Sequence, residues 1–135
     1  MQGVINEKIK LREPFRPFAP SVLEEKSQEY FELTTDSPFM LLVARTKQEK
    51  LDKIPAVVHV DGTARVQTVS KSANLKYWTL IKEFENLTGI PVILNTSFNG
   101  KDEPIVCNPD DAVHCFLNTE LDFLCLGDYL LDKSF

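Results

Sequence analysis

The apolar positions fall into short continuous runs and one long stretch with helical spacing. Phe39–Ala44 (Phe-Met-Leu-Leu-Val-Ala) is continuous and predicts a central strand. Phe18–Leu23 and Pro91–Leu94 predict two more strands. Val57–Val60 and Ala64–Val69 flank Asp61-Gly62-Thr63, and an Asp-Gly pair between apolar segments predicts a hairpin. That hairpin puts His59 in a strand. Phe123–Leu126 and Tyr129–Leu131 close the chain as strands around Gly127-Asp128.

Asn74–Thr88 is the clearest helix. Leu75, Trp78, Ile81 and Phe84 follow helical spacing, and Leu80 and Leu87 widen the stripe. Asn74 can cap its start and Gly89 its end. A second helix starts at Asn108, with Pro109 in the first turn and Asp110 and Asp111 complementing the helix dipole. Val113, Phe116 and Leu117 form its apolar face. Gln2–Ile9 reads as the tail of a helix, Glu25–Phe31 has helical composition, and Gln48–Lys53 is a polar connection. This order predicts an α/β domain (α+β in some schemes) with three layers and a mixed, twisted sheet.

Composition narrows the picture. The chain has 135 residues, the size of one domain, and is 43% hydrophobic and 26% charged. That supports a packed core rather than disorder. A net charge of −5 argues against a broad basic face for nucleic acid or anionic lipid. Met1–Leu11 is polar and mixed in charge, unlike a signal peptide. No apolar run approaches the roughly 20 residues of a membrane span. Cys107, Cys115 and Cys125 are odd in number and read as reduced, which implies a cytoplasmic protein.

Two stretches concentrate candidate chemistry. In Lys10-Leu-Arg-Glu-Pro-Phe-Arg-Pro-Phe-Ala-Pro20, cations stand on proline-punctuated backbone. In extended backbone Lys10 and Arg12, two apart, share one face and can meet one anion. Arg16 sits between Phe15 and Pro17, where the backbone has little freedom. Fixed Arg and Lys donors suit adenylyl or phosphoryl transfer, where charge grows on phosphate oxygens. Asn95-Thr-Ser-Phe-Asn-Gly100 follows a predicted strand, and ligands of open α/β sheets lie at strand ends. Its amides and hydroxyls can fix phosphates, a ribose or a carbamoyl group. Arg65 and Gln67, two apart in a strand, suit an anionic, hydrogen-bonding ligand. His59 and His114 lie far apart with no zinc-like spacing, so no metal site is expected. No P-loop, dinucleotide fingerprint or Ser-His-Asp order is present.

These strings resemble the C-terminal, YrdC-like domain of the O-carbamoyltransferases of nodulation-factor and antibiotic biosynthesis. The resemblance runs nearly end to end. It is carried by Ile9–Val22, Val60–Val69, Leu94–Asn99, Glu103–Val106 and Pro109–Ala112. It implies that ATP, with Mg²⁺, and carbamoyl phosphate give carbamoyl adenylate and pyrophosphate. A Kae1-like domain, N-terminal in the family, then uses iron to pass the carbamoyl group to an acceptor hydroxyl. The family's Lys-x-Arg and Ser-x-Asn signatures fall on Lys10/Arg12 and Ser97/Asn99. The resemblance makes Lys10, Arg16 and Arg65 the catalytic cations. Lys10, Arg12, Arg16, Arg65, Ser97 and Asn99 become the ATP and carbamoyl ligands.

The family's Gly-Pro-Arg-Ala-Leu-Gly-type segment and its Kae1-like domain are not in this sequence. The expectation is therefore residues 1–135 as one N-terminally truncated domain, with a Kae1-like partner in the same or another chain. Two other readings stay open. One is a non-catalytic nucleotide-binding or docking module. The other is a threonylcarbamoyl-adenylate synthase-like protein.

Overall fold

In the computed structural model, which describes residues 1–133, the strands and helices form two compact units. One is Pro17–Thr96; the other joins Met1–Arg16 to the chain from Ser97 onward. Elements of the first are strands β1 (Ala19–Leu23), β2 (Leu42–Arg45), β3 (Thr63–Val69) and β4 (Val92–Asn95).

The sheet order is β2-β3-β1-β4. It is mixed, as expected: β1 runs parallel to β3, while β1–β4 and β2–β3 are antiparallel. Every residue of β1 is buried, including Pro20. A proline inside a sheet normally breaks a ladder. Here Leu23 donates to the Pro91 carbonyl at 3.3 Å, so odd-numbered N–H groups of β1 point toward β4. The missing N–H of Pro20 falls on the β3 side, where pairing begins only at Ser21–Gln67.

The helix Leu75–Thr88 forms as its spacing predicts. Asn74 Oδ1 accepts the Tyr77 N–H at 3.1 Å. Gly89, at φ 74°, closes the last turn by donating to the Glu85 carbonyl, a geometry glycine adopts without strain. Ile81 packs on Leu23 and Val69, with Tyr77, Trp78 and Ile93 around them.

Two sequence expectations are corrected in this unit. Phe39–Ala44 is not a central strand. The strand is Leu42–Arg45 and it lies at the sheet edge. Phe39 and Leu41 are both 79% exposed, and Met40 turns into the left-handed region at φ 60°. Apolar content marked the segment, but the turn after Pro38 delays pairing until Leu42. Nor is Val57–Val60 a strand, and His59 is therefore in a loop. Pro55–Val57 is one short helical turn. The Asp61-Gly62 turn does close, with His59 N–H on the Thr63 carbonyl at 2.7 Å. Thr46 N–H then bonds the Gly62 carbonyl at 2.9 Å, so β3 pairs with β2 instead.

The second unit opens with one α-turn, Gln2–Val4, continued by a wider turn, Ile5–Ile9. Its main helix is Pro109–Leu117, followed by a hairpin of β5 (Phe123–Leu126) and β6 (Tyr129–Asp132). Ala112, Phe116 and Leu124 form its core, with Phe98, Val106 and Leu131 packed around them. Asn108 Oδ1 accepts the Asp111 N–H at 2.9 Å, and Asp111 Oδ2 accepts the Cys107 N–H at 3.2 Å. The Asn108 amide and the Asp111 carboxylate thus each satisfy a backbone donor at the helix start. Asn108→Ala is expected to cost about 1 kcal/mol, read as a lower urea midpoint at unchanged slope. An unmoved midpoint would show that the Asp111 link alone holds this helix start.

Candidate functional site

The unit that joins the two chain ends carries a cleft of about 500 Å³. Lys10, Arg12, Arg16 and Lys101 line it, against the carboxylates Glu13 and Asp102. Ser97, Asn99 and Gly100 complete the wall. Five of the six predicted site residues therefore meet: Lys10, Arg12, Arg16, Ser97 and Asn99.

Lys10 is the most constrained of them. It is only 7% exposed. Its ammonium donates to the Ser97 carbonyl at 2.5 Å, to Asn99 Oδ1 at 2.7 Å and to the Asn99 carbonyl at 3.1 Å. Those bonds engage its three protons. Ser97 Oγ donates to Asn99 Oδ1 at 2.7 Å, and Asn99 Nδ2 donates to the Glu103 carbonyl at 2.9 Å. Gly100 N–H bonds Glu103 Oε2 at 3.0 Å. The Lys-x-Arg and Ser-x-Asn strings are thus joined physically. Lys10 folds the 97–100 loop into shape.

The route to this geometry is not the extended backbone read from the sequence. Lys10 is helical at φ −86°, and Leu11 is left-handed at φ 46°. Asp102, across the cleft, is also left-handed at φ 58°. Non-glycine residues held there are strained, and such strain concentrates at binding sites. A turn, not strand alternation, brings Lys10 and Arg12 to one cleft.

Asn6 holds that turn and was missed by the sequence reading. It is fully buried. Its Nδ2 donates to the Arg16 carbonyl at 2.8 Å and the Pro14 carbonyl at 3.0 Å. Its Oδ1 accepts from Arg12 Nε at 2.7 Å. Its own carbonyl accepts the Arg12 N–H at 2.9 Å. The one available signal was an asparagine, a poor helix former, inside a helical segment. Lys101 and Asp102 were also missed, because nothing marked their loop as folding back onto Lys10.

The cations repel one another across the cleft. Arg16 reaches Glu13 at 3.7 Å, with both side chains more than half exposed. Burial pushes Lys10 down from its ordinary value, and the Arg12 charge pushes it further, against a small opposite pull from Cys115. Arg12 is pushed down by burial, then by Arg16, with Glu13 opposing. Mutual repulsion of this kind is relieved by a bound anion.

Arg65 belongs to the first unit. It lies exposed on β3, paired with Val43. By strand alternation and register it shares a face with Gln67, Ser21 and Ile93. On that face Ser21 Oγ donates to Gln67 Oε1 at 2.6 Å and accepts from the Tyr77 hydroxyl at 2.8 Å. Asn95 Nδ2 donates to Gln67 Oε1 at 2.7 Å and to Ser21 Oγ at 3.1 Å. Gln67 Nε2 donates to the Pro38 carbonyl at 3.2 Å. Asn95 and Gln67 had been noted for their chemistry; Ser21 and Tyr77 carried no sequence signal.

Together these features define an α/β module with a cationic cleft able to hold a phosphate-bearing ligand. The family described as Carbamoyltransferase C-terminus matches residues 1–133, and the chain belongs to it. The chain is 52% identical over 132 residues to the nodulation protein NolNO of Sinorhizobium fredii, covering 96% of this chain and 19% of that one. It is 49% identical over 132 residues to the nodulation protein NolO of Bradyrhizobium diazoefficiens, covering 96% and 24%. With the nodulation protein U of Rhizobium tropici the figure is 48% over 99 residues, covering 73% and 17%. The chain spans about a quarter or less of the length of these relatives. Among the described residues, no helix is long and apolar enough to cross a membrane.

Proposed function

We propose that this chain contributes to the formation of carbamoyl adenylate from ATP and carbamoyl phosphate. The observation that carries the reading is the cleft in which Lys10 joins the 97–100 loop beside Arg12, Arg16 and Lys101. Four cations against two carboxylates suit a triphosphate. As the bond to pyrophosphate breaks, charge moves onto its oxygens, and fixed guanidinium groups stabilise it. In this reading Arg12 and Arg16 supply those groups. Lys10 acts through the loop it holds, keeping the Ser97 and Asn99 side chains in position.

The residues present fit Mg²⁺ as a nucleotide-borne ion. Glu13 and Asp102 line the cleft with hard oxygen donors, and Mg²⁺ is commonly held by one or two carboxylates plus substrate phosphates. The ion would neutralise phosphate charge when bound. In the balanced reaction, ATP, carbamoyl phosphate and one water give carbamoyl adenylate, pyrophosphate and orthophosphate. The two inorganic products are therefore expected in equal amounts. An assay of both, with ATP, MgCl₂ and carbamoyl phosphate, tests this reading. Its rejection would be ATP that neither binds by calorimetry nor yields pyrophosphate. In Arg16→Ala, turnover is expected to fall at least tenfold.

A second reading is a nucleotide-binding module without turnover, with a Kae1-like domain as its docking partner. It is favoured by the engagement of the Lys10 ammonium with protein oxygens. ATP binding without either inorganic product would support it.

A further inference from the structure

A nucleotide offers two things to recognise, a phosphate chain and a base. The chain asks for charge. The base asks for an aromatic face to stack on, or for a neutral donor and acceptor side by side along its edge. The cleft beside the 97–100 loop supplies the first. Lys10, Arg12, Arg16 and Lys101 line it. Among the described residues no aromatic side chain lines it, and Leu11 is its one apolar side chain.

The neutral polar groups of the cleft are engaged in its own frame. Asn99 is the one side-chain amide among the described lining residues. Its Oδ1 accepts from Lys10 Nζ and from Ser97 Oγ, both at 2.7 Å, which fills both lone pairs. Its Nδ2 donates to the Glu103 carbonyl at 2.9 Å. The amide therefore cannot turn to give adenine a donor and an acceptor together. Ser97 Oγ gives its proton to that same Asn99 oxygen, and Glu103 Oε2 accepts the Gly100 N–H at 3.0 Å. What the cleft presents is charge. Arg12 is anchored through Nε on Asn6 at 2.7 Å, which fixes the plane of its guanidinium. Coulombic attraction to such cations scales with the charge of the phosphates and carries no information about a base.

We propose that this cleft binds the phosphate chain and is indifferent to the base, so that other nucleoside triphosphates, inorganic tripolyphosphate and pyrophosphate compete with ATP for it. This rests on the reading that places the ATP phosphates here, and it names the class of ligand that the cleft accepts. A site that bonds a ligand's polar edge rejects analogues by large factors, and a site that makes no such bonds does not. One consequence concerns the reaction sequence. Pyrophosphate released from ATP is itself a ligand of the cleft, so turnover slows as it accumulates. Sustained turnover then calls for a reaction that hydrolyses pyrophosphate to orthophosphate.

The test is calorimetry of the whole chain with MgCl₂ at fixed ionic strength. The titrants are ATP, GTP, CTP, tripolyphosphate and adenosine, and ATP is titrated again in the presence of pyrophosphate. The nucleoside triphosphates should bind within about threefold of one another, with tripolyphosphate at least as tight and adenosine silent. Pyrophosphate should weaken the apparent ATP affinity. All binding should fall in parallel as NaCl is raised, because screening acts on charge alone. Asn99→Ala should weaken ATP and GTP by the same factor, since it loosens a frame that both share. A preference for ATP over GTP or tripolyphosphate of about tenfold or more overturns the proposal. So does ATP binding that pyrophosphate leaves unchanged, or an Asn99→Ala protein in which the ATP-to-GTP ratio shifts, because its amide would then read the base. These outcomes leave the phosphate assignment standing. Absent binding of ATP, GTP and tripolyphosphate alike strikes that assignment itself, and this proposal with it.

Discussion

Lys10→Met is expected to cost about 2 kcal/mol of stability and at least a hundredfold in affinity for ATP. Methionine keeps most of the buried aliphatic stem, so the loss is not one of packing. Two opposed terms decide the sign. The ammonium gains bonds of 2.5 and 2.7 Å to Ser97 and Asn99, and hydrogen bonds to charged groups contribute about 1.5–3 kcal/mol each. Burying the charge costs part of that gain, as the lowered Lys10 pKa shows. The bonds win, because the variant leaves the Ser97 carbonyl without a side-chain donor while Asn99 Oδ1 keeps only Ser97 Oγ. Urea unfolding and ATP calorimetry read the two losses.

The pH dependence gives a second check on Lys10. Its folded-state pKa lies below its unfolded value near 10.5. Between the two, the unfolded chain binds more protons, so stability rises with pH. The gap in stability between wild type and Lys10→Met should therefore widen as pH climbs toward 10.5. Subtracting the variant cancels the tyrosines, Tyr30 and Tyr77, that titrate in the same range. A gap that narrows with pH, or a variant as stable as wild type, would remove Lys10 from this role.

Much of the fold was readable because it depends on local chemistry. The two long helices start at asparagine caps and fall where apolar spacing put them. The closing hairpin turns at Gly127, whose φ of 62° suits glycine, with Phe123–Leu126 as predicted and its partner strand continuing past the predicted Leu131 to Asp132. What failed was pairing. Nothing local distinguishes Leu42–Arg45 from Val57–Val60 as the partner of β3; the choice is made by Thr46 reaching Gly62 across the sheet. The site shows the same division. Residue types marked Lys10, Arg12, Arg16, Ser97 and Asn99. The left-handed turn at Leu11 and the role of Asn6 depend on where the chain returns, which spacing does not encode. The division of the chain into two units, one built from both ends, is likewise set by long-range contact.

Asn6 supplies the sharpest separation of shape from charge in the cleft. Asn6→Ala leaves every cation in the sequence, yet it removes the donors that hold the Arg16 and Pro14 carbonyls and the acceptor that holds Arg12 Nε. Gln2 Nε2 still reaches the Arg16 carbonyl at 3.0 Å, so one of the three groups keeps a partner. The remaining loss, at a fully buried position, should cost about 3 kcal/mol. ATP affinity should fall at least tenfold with net charge unchanged. Asn6→Asp divides the causes. Its carboxylate still accepts from Arg12 but sets negative oxygens against two carbonyls. If the carbonyl anchors shape the cleft, aspartate should be as damaging as alanine despite its ion pair with Arg12. If Arg12 alone matters, aspartate should bind ATP like wild type. Full stability and affinity in Asn6→Ala would mean that the loop from Lys10 to Arg16 holds its form without this anchor.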